Sequence, residues 1–497
     1  MVPKDAPERF GAMHPTTMPL RTANIVGSGP NGLAAAVTLA QCGVAVTVFE
    51  RNENIGGACS TAELTLPGFR NDVGSSCFPL GVASPLFQSL PLEAFGLKWI
   101  EPPATLAHPL DDGTAVMLEH SLEETAVQFG AHDARAWRAL FGPSVRDWPR
   151  LVTAFMEPLA AVPRHPVTMA TFGVAAGLPA RWLARSAFQS ERTRALFGGL
   201  AAHAVIPLTE MASSATGLVL GTAAHTTGWP VAQGGAQSLT NALAAYLRTL
   251  GGRIIVDFEV NSLAELERVS SADVTLFDTS VAAMDAIAGE AFSHAYRAKL
   301  RRFKRGPGVF KIDYALSQPI PWKAAECLRA GTVHVGGELE EIVASEEDAF
   351  KGRQNDRPFV LVVQPSLFDP ERAPALDDGM RQHTAWAYCH VPSWSDEDRT
   401  EAIEAQIERF APGFRDCVLD RRIWNSTRLE RANPNLRGGD VTGGAMTLTQ
   451  LLARPTLRLY RTSNRRIYLC SASTPPGGGV HGMCGFNAAI AALDDWD

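Results

Sequence analysis

The sequence predicts an α/β fold: a parallel sheet flanked by helices, with a second domain of mixed β-sheet plus helices interleaved into it. Three stretches carry the prediction. Residues 23–61, "ANIVGSGPNGLAAAVTLAQCGVAVTVFERNENIGGACST", read strand, glycine-rich turn, helix, strand and a second glycine turn. Residues 228–260, "GWPVAQGGAQSLTNALAAYLRTLGGRIIVDFEV", repeat the style with a turn, an amphipathic helix, Gly-Gly and a strand. Residues 465–493, "RRIYLCSASTPPGGGVHGMCGFNAAIAAL", run from an apolar strand through two prolines and three glycines into an alanine-rich helix. A strand–helix–strand unit implies parallel neighbours, because the crossover helix brings the chain back to start the next strand from the same end.

Each element follows from its residues. Residues 1–20, with four prolines and no apolar run, predict a loose arm, neither signal peptide nor anchor. "ANIV" is a buried strand, "LAAAVTLAQC" a helix with small residues on its packing face, and "AVTVFE" a second strand ending in a carboxylate. Residues 79–225 read as helices and loops with several Trp and Pro. "ADVTLFDTS" (272–280) is another buried strand. Strands follow at 308–316, 358–367 and 383–391, and the charged segment 338–357 reads as a solvated helix and loop. The division expected is a discontinuous domain of 21–78, 228–300 and 461–497, with a second domain formed by 79–227 and 301–460.

With 497 residues the chain is long enough for two domains. A hydrophobic fraction of 46% and a charged fraction of 20% fit a globular protein. The net charge of −7 argues against nucleic-acid binding, which needs a basic face. Eight scattered cysteines without a CxxC pair read as reduced thiols of a cytoplasmic protein, and no metal site is expected. No stretch reaches the roughly 18 apolar residues of a membrane span, which leaves peripheral contact with a membrane open.

Function is written first in "GSGPNG". Gly27 lets the chain turn sharply out of the strand, Gly29 lets backbone approach a pyrophosphate, and Gly32 lets the helix sit close on the sheet. The helix N-terminus offers free N–H groups to phosphates. Glu50, at the end of the second strand and 18 residues after Gly32, is placed to accept hydrogen bonds from a ribose diol. It would repel a 2′-phosphate, so NADP is disfavoured. A Rossmann-like dinucleotide site is therefore expected. Gly56 and Gly57, followed by Ala58, Ser60 and Thr61, add a second close-approach loop. That suits a longer ligand, FAD, held non-covalently. The terminal turn then has a purpose. If its strand joins the first sheet, Gly477–Gly479 and Gly482 bring backbone close to the flavin ring, and the helix from Met483 aims its N–H groups at the ring edge that gains charge on reduction.

These stretches, with "GWPVAQGGAQSLTNAL", "FKIDYAL…PIPW" and "AYCHVP", resemble the phytoene-dehydrogenase-like flavoproteins of the amine oxidase and carotenoid desaturase superfamily, over residues 21–497. The branch most resembled is the one called pyridine nucleotide-disulphide oxidoreductase domain-containing. The chain nevertheless has no redox CxxxxC or CxxC pair and no second GxGxxG. The resemblance implies a GR2-type flavoprotein: a Rossmann-like FAD-binding domain with an interleaved substrate domain. It implies cofactor-binding positions Gly27, Gly29, Asn31, Gly32, Glu50, Arg51, Gly56, Gly57, Ala58, Val260, Gly478, Gly479, Gly482 and Met483. It also implies hydride removal from carbon to flavin N5.

His481, in the terminal turn, and His225 are the candidate proton acceptors, His being the usual base near neutral pH; for His481 a backbone-anchoring role is the stronger expectation. Trp229, Tyr388 and His390 are candidate walls of the substrate pocket. Lys311 and Asp313 alternate on one strand face and read as a surface ion pair. Cys484 alone does not argue for a covalent flavin link. The expected activity is FAD-dependent dehydrogenation of a largely apolar substrate to a C=C bond. Its rivals are C–N oxidation, redox-neutral isomerisation and a binding protein stabilised by FAD. The electron acceptor, O2 or a quinone among others, and the oligomeric state stay open.

Overall fold

The computed structural model describes residues 21–158, 165–376 and 381–496; the arm expected at residues 1–20 lies outside the described residues. In chain order the strands are β1 (Thr22–Val26), β2 (Ala45–Phe49), β3 (Thr61–Glu63), β4 (Arg70–Asp72), β5 (Trp99–Ile100), β6 (Ala104–Pro109), β7 (Ala115–Leu118), β8 (Val231–Ala232), β9 (Arg253–Ile255), β10 (Val274–Phe277), β11 (Gly308–Leu316), β12 (Ala330–Val335), β13 (Val360–Val363), β14 (His383–Val391), β15 (Val418–Trp424) and β16 (Ile467–Leu469).

Two sheets organise the chain. The first has the order β16-β10-β1-β2-β9, and every pairing in it is parallel. Its strands come from both ends of the chain and from the middle. β1 and β10 are almost wholly buried, which is why they read as unbroken apolar runs rather than alternating ones. The second sheet has the order β15-β11-β14-β13-β12-β6-β7. It is antiparallel except where β12 runs parallel to β6. β3–β4 and β5–β8 form two small antiparallel pairs.

Helix Pro30–Gln41 begins with proline at its first position, where the missing N–H costs no hydrogen bond. It lies against backbone on two sides. A Cβ on Gly32 would fall 2.2 Å from the Gly27 carbonyl oxygen, and a Cβ on Gly485 would fall 1.8 Å from the Asn31 carbonyl oxygen. The terminal helix Met483–Asp494 therefore crosses the first helix at backbone contact. Helices 131–146, 191–202 and 214–224 pack together beside the second sheet, with Trp137, Phe141 and Leu200 in their core.

Four local readings are corrected. β6 and β7 lie inside 79–225, which reads as helix and loop. Residues 358–367 give only the short β13, because Pro365 cannot continue a ladder and opens a 3-10 turn. Helix Leu339–Phe350 buries Leu339, Ile342, Val343 and Glu346, so only one face is solvated. The strand read in 253–260 stops at Ile255. No helix among the described residues is long and apolar enough to cross a membrane.

Candidate functional site

β1, β2 and β10 end side by side at the glycine turn. Gly27 has φ +102°, and a Cβ there would lie 2.6 Å from the Asp278 carbonyl oxygen, so only glycine makes this exit from the strand. Gly29 precedes helix 30–41 without any side-chain cap. The Asn31 side-chain oxygen is buried and has no protein partner. Gly56 N–H donates to the Ser28 carbonyl and hydroxyl oxygens, at 3.1 and 3.2 Å. A Cβ on Gly57 would come within 3.8 Å of Gly29 Cα. The loop after β2 thus folds back over the first turn.

Two carboxylates sit in this mouth. Glu50 accepts from Ser28 N (3.1 Å) and Ser28 Oγ (2.6 Å) on one oxygen, and from Asn52 N (3.0 Å) and Asn52 Nδ2 (2.9 Å) on the other. Asp278, just past β10, accepts from Gly32 N at 2.8 Å, and its Oδ2 would lie 2.6 Å from a Cβ on Gly29. Burial pushes the Asp278 carboxyl up to about 7, opposed by the Gly32 N–H and reinforced by the charge on Glu50. The resemblance does not point to Asp278; only the pairing of β10 with β1 brings it to Gly32. Arg51 pairs with Glu259 at 3.6 Å on the surface, and Val260 is buried.

The terminal turn lies next door, since β16 pairs with β10 and Cys470 N–H donates to the Phe277 carbonyl at 2.9 Å. Gly478 packs on the backbone of Thr442, and Gly479 packs on His481. A Cβ on Gly482 would strike the Phe87 ring at 2.6 Å. Met483 opens the terminal helix and donates its N–H to His481 Nδ1 at 3.0 Å. Burial pushes His481 down to about 4, opposed by the Gly477 and Gly478 backbone. Its ring is a neutral cap of the helix, and its carbonyl is tied to Ser84 Oγ at 2.7 Å. These contacts give His481 the backbone-anchoring role rather than that of a proton acceptor.

His225 is corrected too. Its Nε2 accepts from Trp137 Nε1 at 3.1 Å, and its Nδ1 meets the His120 carbonyl at 3.3 Å. The ring stands edge-on to Trp137 and Phe141, and burial pushes it down to about 4. Neither nitrogen is free to take a proton. Trp229 is buried, donates from Nε1 to the Leu220 carbonyl at 3.2 Å, and meets His203 edge-on at 5.7 Å.

Tyr388 and His390 do share a face of β14. Tyr388 stacks on Trp386 at 5.5 Å and meets His390 edge-on at 5.7 Å. His390 Nδ1 bonds the Glu346 carboxylate at 2.7 Å, while its Nε2 is buried without a protein partner. Cross-strand register puts Lys311 beside Tyr388 and Asp313 beside Trp386. The Lys311–Asp313 pair is not on the surface. It is buried, because β11 is an interior strand between β14 and β15. Lys311 Nζ bonds Asp313 Oδ1 at 2.5 Å and the Asp72 carbonyl at 3.0 Å, and lies 5.0 Å from the centre of the Trp386 ring. Burial pushes Asp313 up, opposed by Lys311. Asp72 in turn pairs with Arg372 at 2.9 Å, and Arg372 with Asp369 at 2.9 Å. This charged cluster joins the second sheet to β4. The alternation of charge within an otherwise apolar β11 was its one signal in the sequence.

The uncapped helix, the glycine cradle and the strand-end Glu50 suit a dinucleotide whose phosphates meet backbone N–H groups. No two cysteines among the described residues form a disulfide. Among the described residues no cluster of His, Cys, Asp or Glu could hold a metal ion.

A fold and site of this kind define a class, the Rossmann-like flavoprotein oxidoreductases. Residues 25–90 match the family model of the NAD(P)-binding Rossmann-like domain. The chain is 28% identical to the mouse pyridine nucleotide-disulfide oxidoreductase domain-containing protein 2, over 95% of this chain and 93% of the mouse protein. It is 22% identical to the 4,4'-diapophytoene desaturase of Staphylococcus aureus, over 92% of this chain and 95% of that one. A solved structure of putrescine oxidase, redesigned in its cofactor binding, superposes with TM-score 0.60 at 14% identity, covering 96% of this chain and 99% of the oxidase. The chain is an FAD-dependent oxidoreductase, similar in sequence to carotenoid desaturases and in fold to amine oxidases.

Proposed function

We propose that the protein removes a hydride and a proton from adjacent carbons of a largely apolar substrate and leaves a C=C bond. FAD, when bound, supplies the hydride acceptor at N5. The observation that carries the reading is the aromatic face of β14: Trp386 and Tyr388 stack there, on the sheet built largely from 301–460, and the desaturase relative spans nearly the whole chain. We assign FAD binding to 21–78, 228–300 and 461–497, and the substrate to 79–227 and 301–460.

Backbone N–H groups at Gly29 and Asn31 receive the pyrophosphate in this reading, and Glu50 exchanges its contacts with Ser28 and Asn52 for a ribose diol. His390 takes the proton. Glu346 fixes Nδ1 and leaves Nε2 as a lone pair without a protein partner. The acceptor that reoxidises the cofactor is oxygen or a quinone, and the latter goes with a cytoplasmic protein that touches a membrane peripherally.

The test is anaerobic. Purified protein with an absorption band at about 450 nm is mixed with polyenes, terpenes and amines. Bleaching by an apolar substrate, with a product two hydrogens lighter, supports the reading. Bleaching by amines alone replaces it with C–N oxidation. A product of unchanged mass points to isomerisation, and no bleaching by any member of a broad panel points to a binding protein.

A further inference from the structure

Arg454 is a fully buried cation with no opposite charge bonded to it. It is 1% exposed. It reaches only neutral groups: Nε donates to the Ala472 carbonyl at 3.1 Å, Nη2 to the Thr442 and Gly444 carbonyls at 2.7 and 3.1 Å, and Nη1 to Met446 Sδ at 3.2 Å. Among the described residues no carboxylate hydrogen-bonds to it. The one carboxylate that acts on it through space, Asp440, spends its oxygens on Gly306 N, Thr442 N and Thr442 Oγ1, at 2.8, 2.8 and 2.6 Å. Arg372, equally buried, shows the ordinary solution: it has Asp72 and Asp369. A guanidinium does not lose its proton, so its field must be answered by another charge or by a ligand.

Its position says where that answer comes from. A Cβ on Gly477 would lie 3.8 Å from Arg454 Cζ, which places the cation directly beneath the first glycine of the terminal turn. The N-terminus of the terminal helix meets the same turn, because Cys484 Sγ bonds the Thr474 and Gly477 carbonyls at 3.3 and 3.4 Å. Two sources of positive potential thus converge on one glycine-rich loop of the nucleotide-binding sheet.

We propose that Arg454 is a positioning residue whose fixed charge stabilises negative charge on the flavin across the 477–482 turn, and so raises the cofactor's tendency to accept hydride. This rests on the FAD reading above. It gives Arg454 an electrostatic role beyond clamping loop 442–446 to residue 472.

Sulfite reports the field directly. It adds through sulfur to flavin N5: the S–N bond forms from the sulfite lone pair, the N5=C4a π bond breaks, and its electron pair leaves negative charge on the ring. FAD-loaded wild type, Arg454→Lys and Arg454→Met are titrated with sulfite by loss of the band at about 450 nm, and their midpoint potentials are measured against redox dyes. Wild type and Arg454→Lys are expected to bind sulfite within about threefold of each other; Arg454→Met is expected to bind it at least about tenfold more weakly and to shift to a lower potential. A yellow Arg454→Met protein with unmoved sulfite affinity and potential overturns the proposal, whatever its stability. If that variant fails to fold, the wild type decides. Its reduced flavin is expected to keep the anionic spectrum across the pH range in which the protein is folded, and a neutral reduced spectrum overturns the proposal. A protein that takes up no FAD sinks the functional reading and this inference together; a yellow protein with no field effect sinks this inference alone.

Discussion

Asp278→Asn is the substitution that most directly interrogates the nucleotide mouth. The carboxyl accepts from Gly32 N at 2.8 Å, and burial pushes it up to about 7 from an ordinary value of 3.8. Between those two values the folded chain holds a proton that the unfolded chain has released. Stability therefore falls as pH rises from about 4 to about 7, and levels off above. Holding the proton up to about 7 rather than 3.8 corresponds to roughly 4 kcal/mol. The residue is partly reached by solvent, which halves the expectation to about 2 kcal/mol. Asparagine keeps an acceptor for the Gly32 N–H but does not titrate. Urea unfolding of the cofactor-free protein, run from pH 4.5 to 8, should show Asp278→Asn near wild type at the acid end and about 2 kcal/mol more stable at pH 8. Bound FAD places further negative charge beside this carboxyl, so wild-type FAD affinity should weaken as pH rises through 7, while the variant's stays flat. A stability difference between the two proteins that is the same at pH 4.5 and pH 8 refutes the reasoning.

Three other substitutions read different parts of the same architecture. Gly485→Ala forces a Cβ to 1.8 Å from the Asn31 carbonyl oxygen, so the two end helices must part; a loss of about 3 kcal/mol or more and of FAD retention is expected in thermal melts of the yellow protein. His225→Gln removes a ring packed between Trp137 and Phe141, and should lower the melting temperature while leaving the rate of anaerobic flavin reduction by a working substrate within about twofold, because neither nitrogen is free for chemistry. Arg372→Gln leaves Asp72 and Asp369 buried without their cation, and denaturant unfolding should show a loss of about 3–5 kcal/mol.

What the sequence showed of this molecule divides along the range of the interactions. Gly27, Gly29 and Gly32 were legible because each answers a constraint set within a few residues: a positive φ, an uncapped helix start, a carbonyl 2.2 Å from where a Cβ would be. β1, β2, β10 and β16 were legible because buried strands of a sheet are apolar runs bounded by turn residues, and β14 by its alternation, although burial in the sheet exceeds the half expected of it. β6 and β7 were not, since short strands among helices carry no period of their own. The partners of polar groups were the least legible of all. Asp278 reaches Gly32 across 246 residues, Lys311 reaches the Asp72 carbonyl across 239, and Asp72 reaches Arg372 across 300. His225 and His481 looked reactive because titratable residues near glycine turns often are. Each instead satisfies a structural donor, Trp137 Nε1 or Met483 N, which no local pattern reveals.

The same long-range pairings bear on how the nucleotide mouth works. Glu50 already has four donors, from Ser28 and Asn52, and Asp278 already holds the Gly32 N–H. Both carboxylates of the mouth are thus already engaged, so a ligand reaching them would exchange hydrogen bonds, whereas the uncapped helix start at Gly29 stands open to it. New hydrogen bonds to phosphate and ribose are offset by the internal ones surrendered, so affinity is set by differences in charge between the incoming group and the group it displaces. Asp278 holding a proton up to about pH 7 lowers the repulsion that a pyrophosphate would otherwise meet there. At the far end no carboxylate bonds Arg454: its donors go to carbonyls and a thioether, the Phe303 ring centre lies 5.8 Å from Cζ, and Asp440 acts on it only through space. On the proposed reading, the mouth exchanges contacts at the adenine half of the ligand, whereas a cation bonded to no carboxylate favours the half that must carry negative charge.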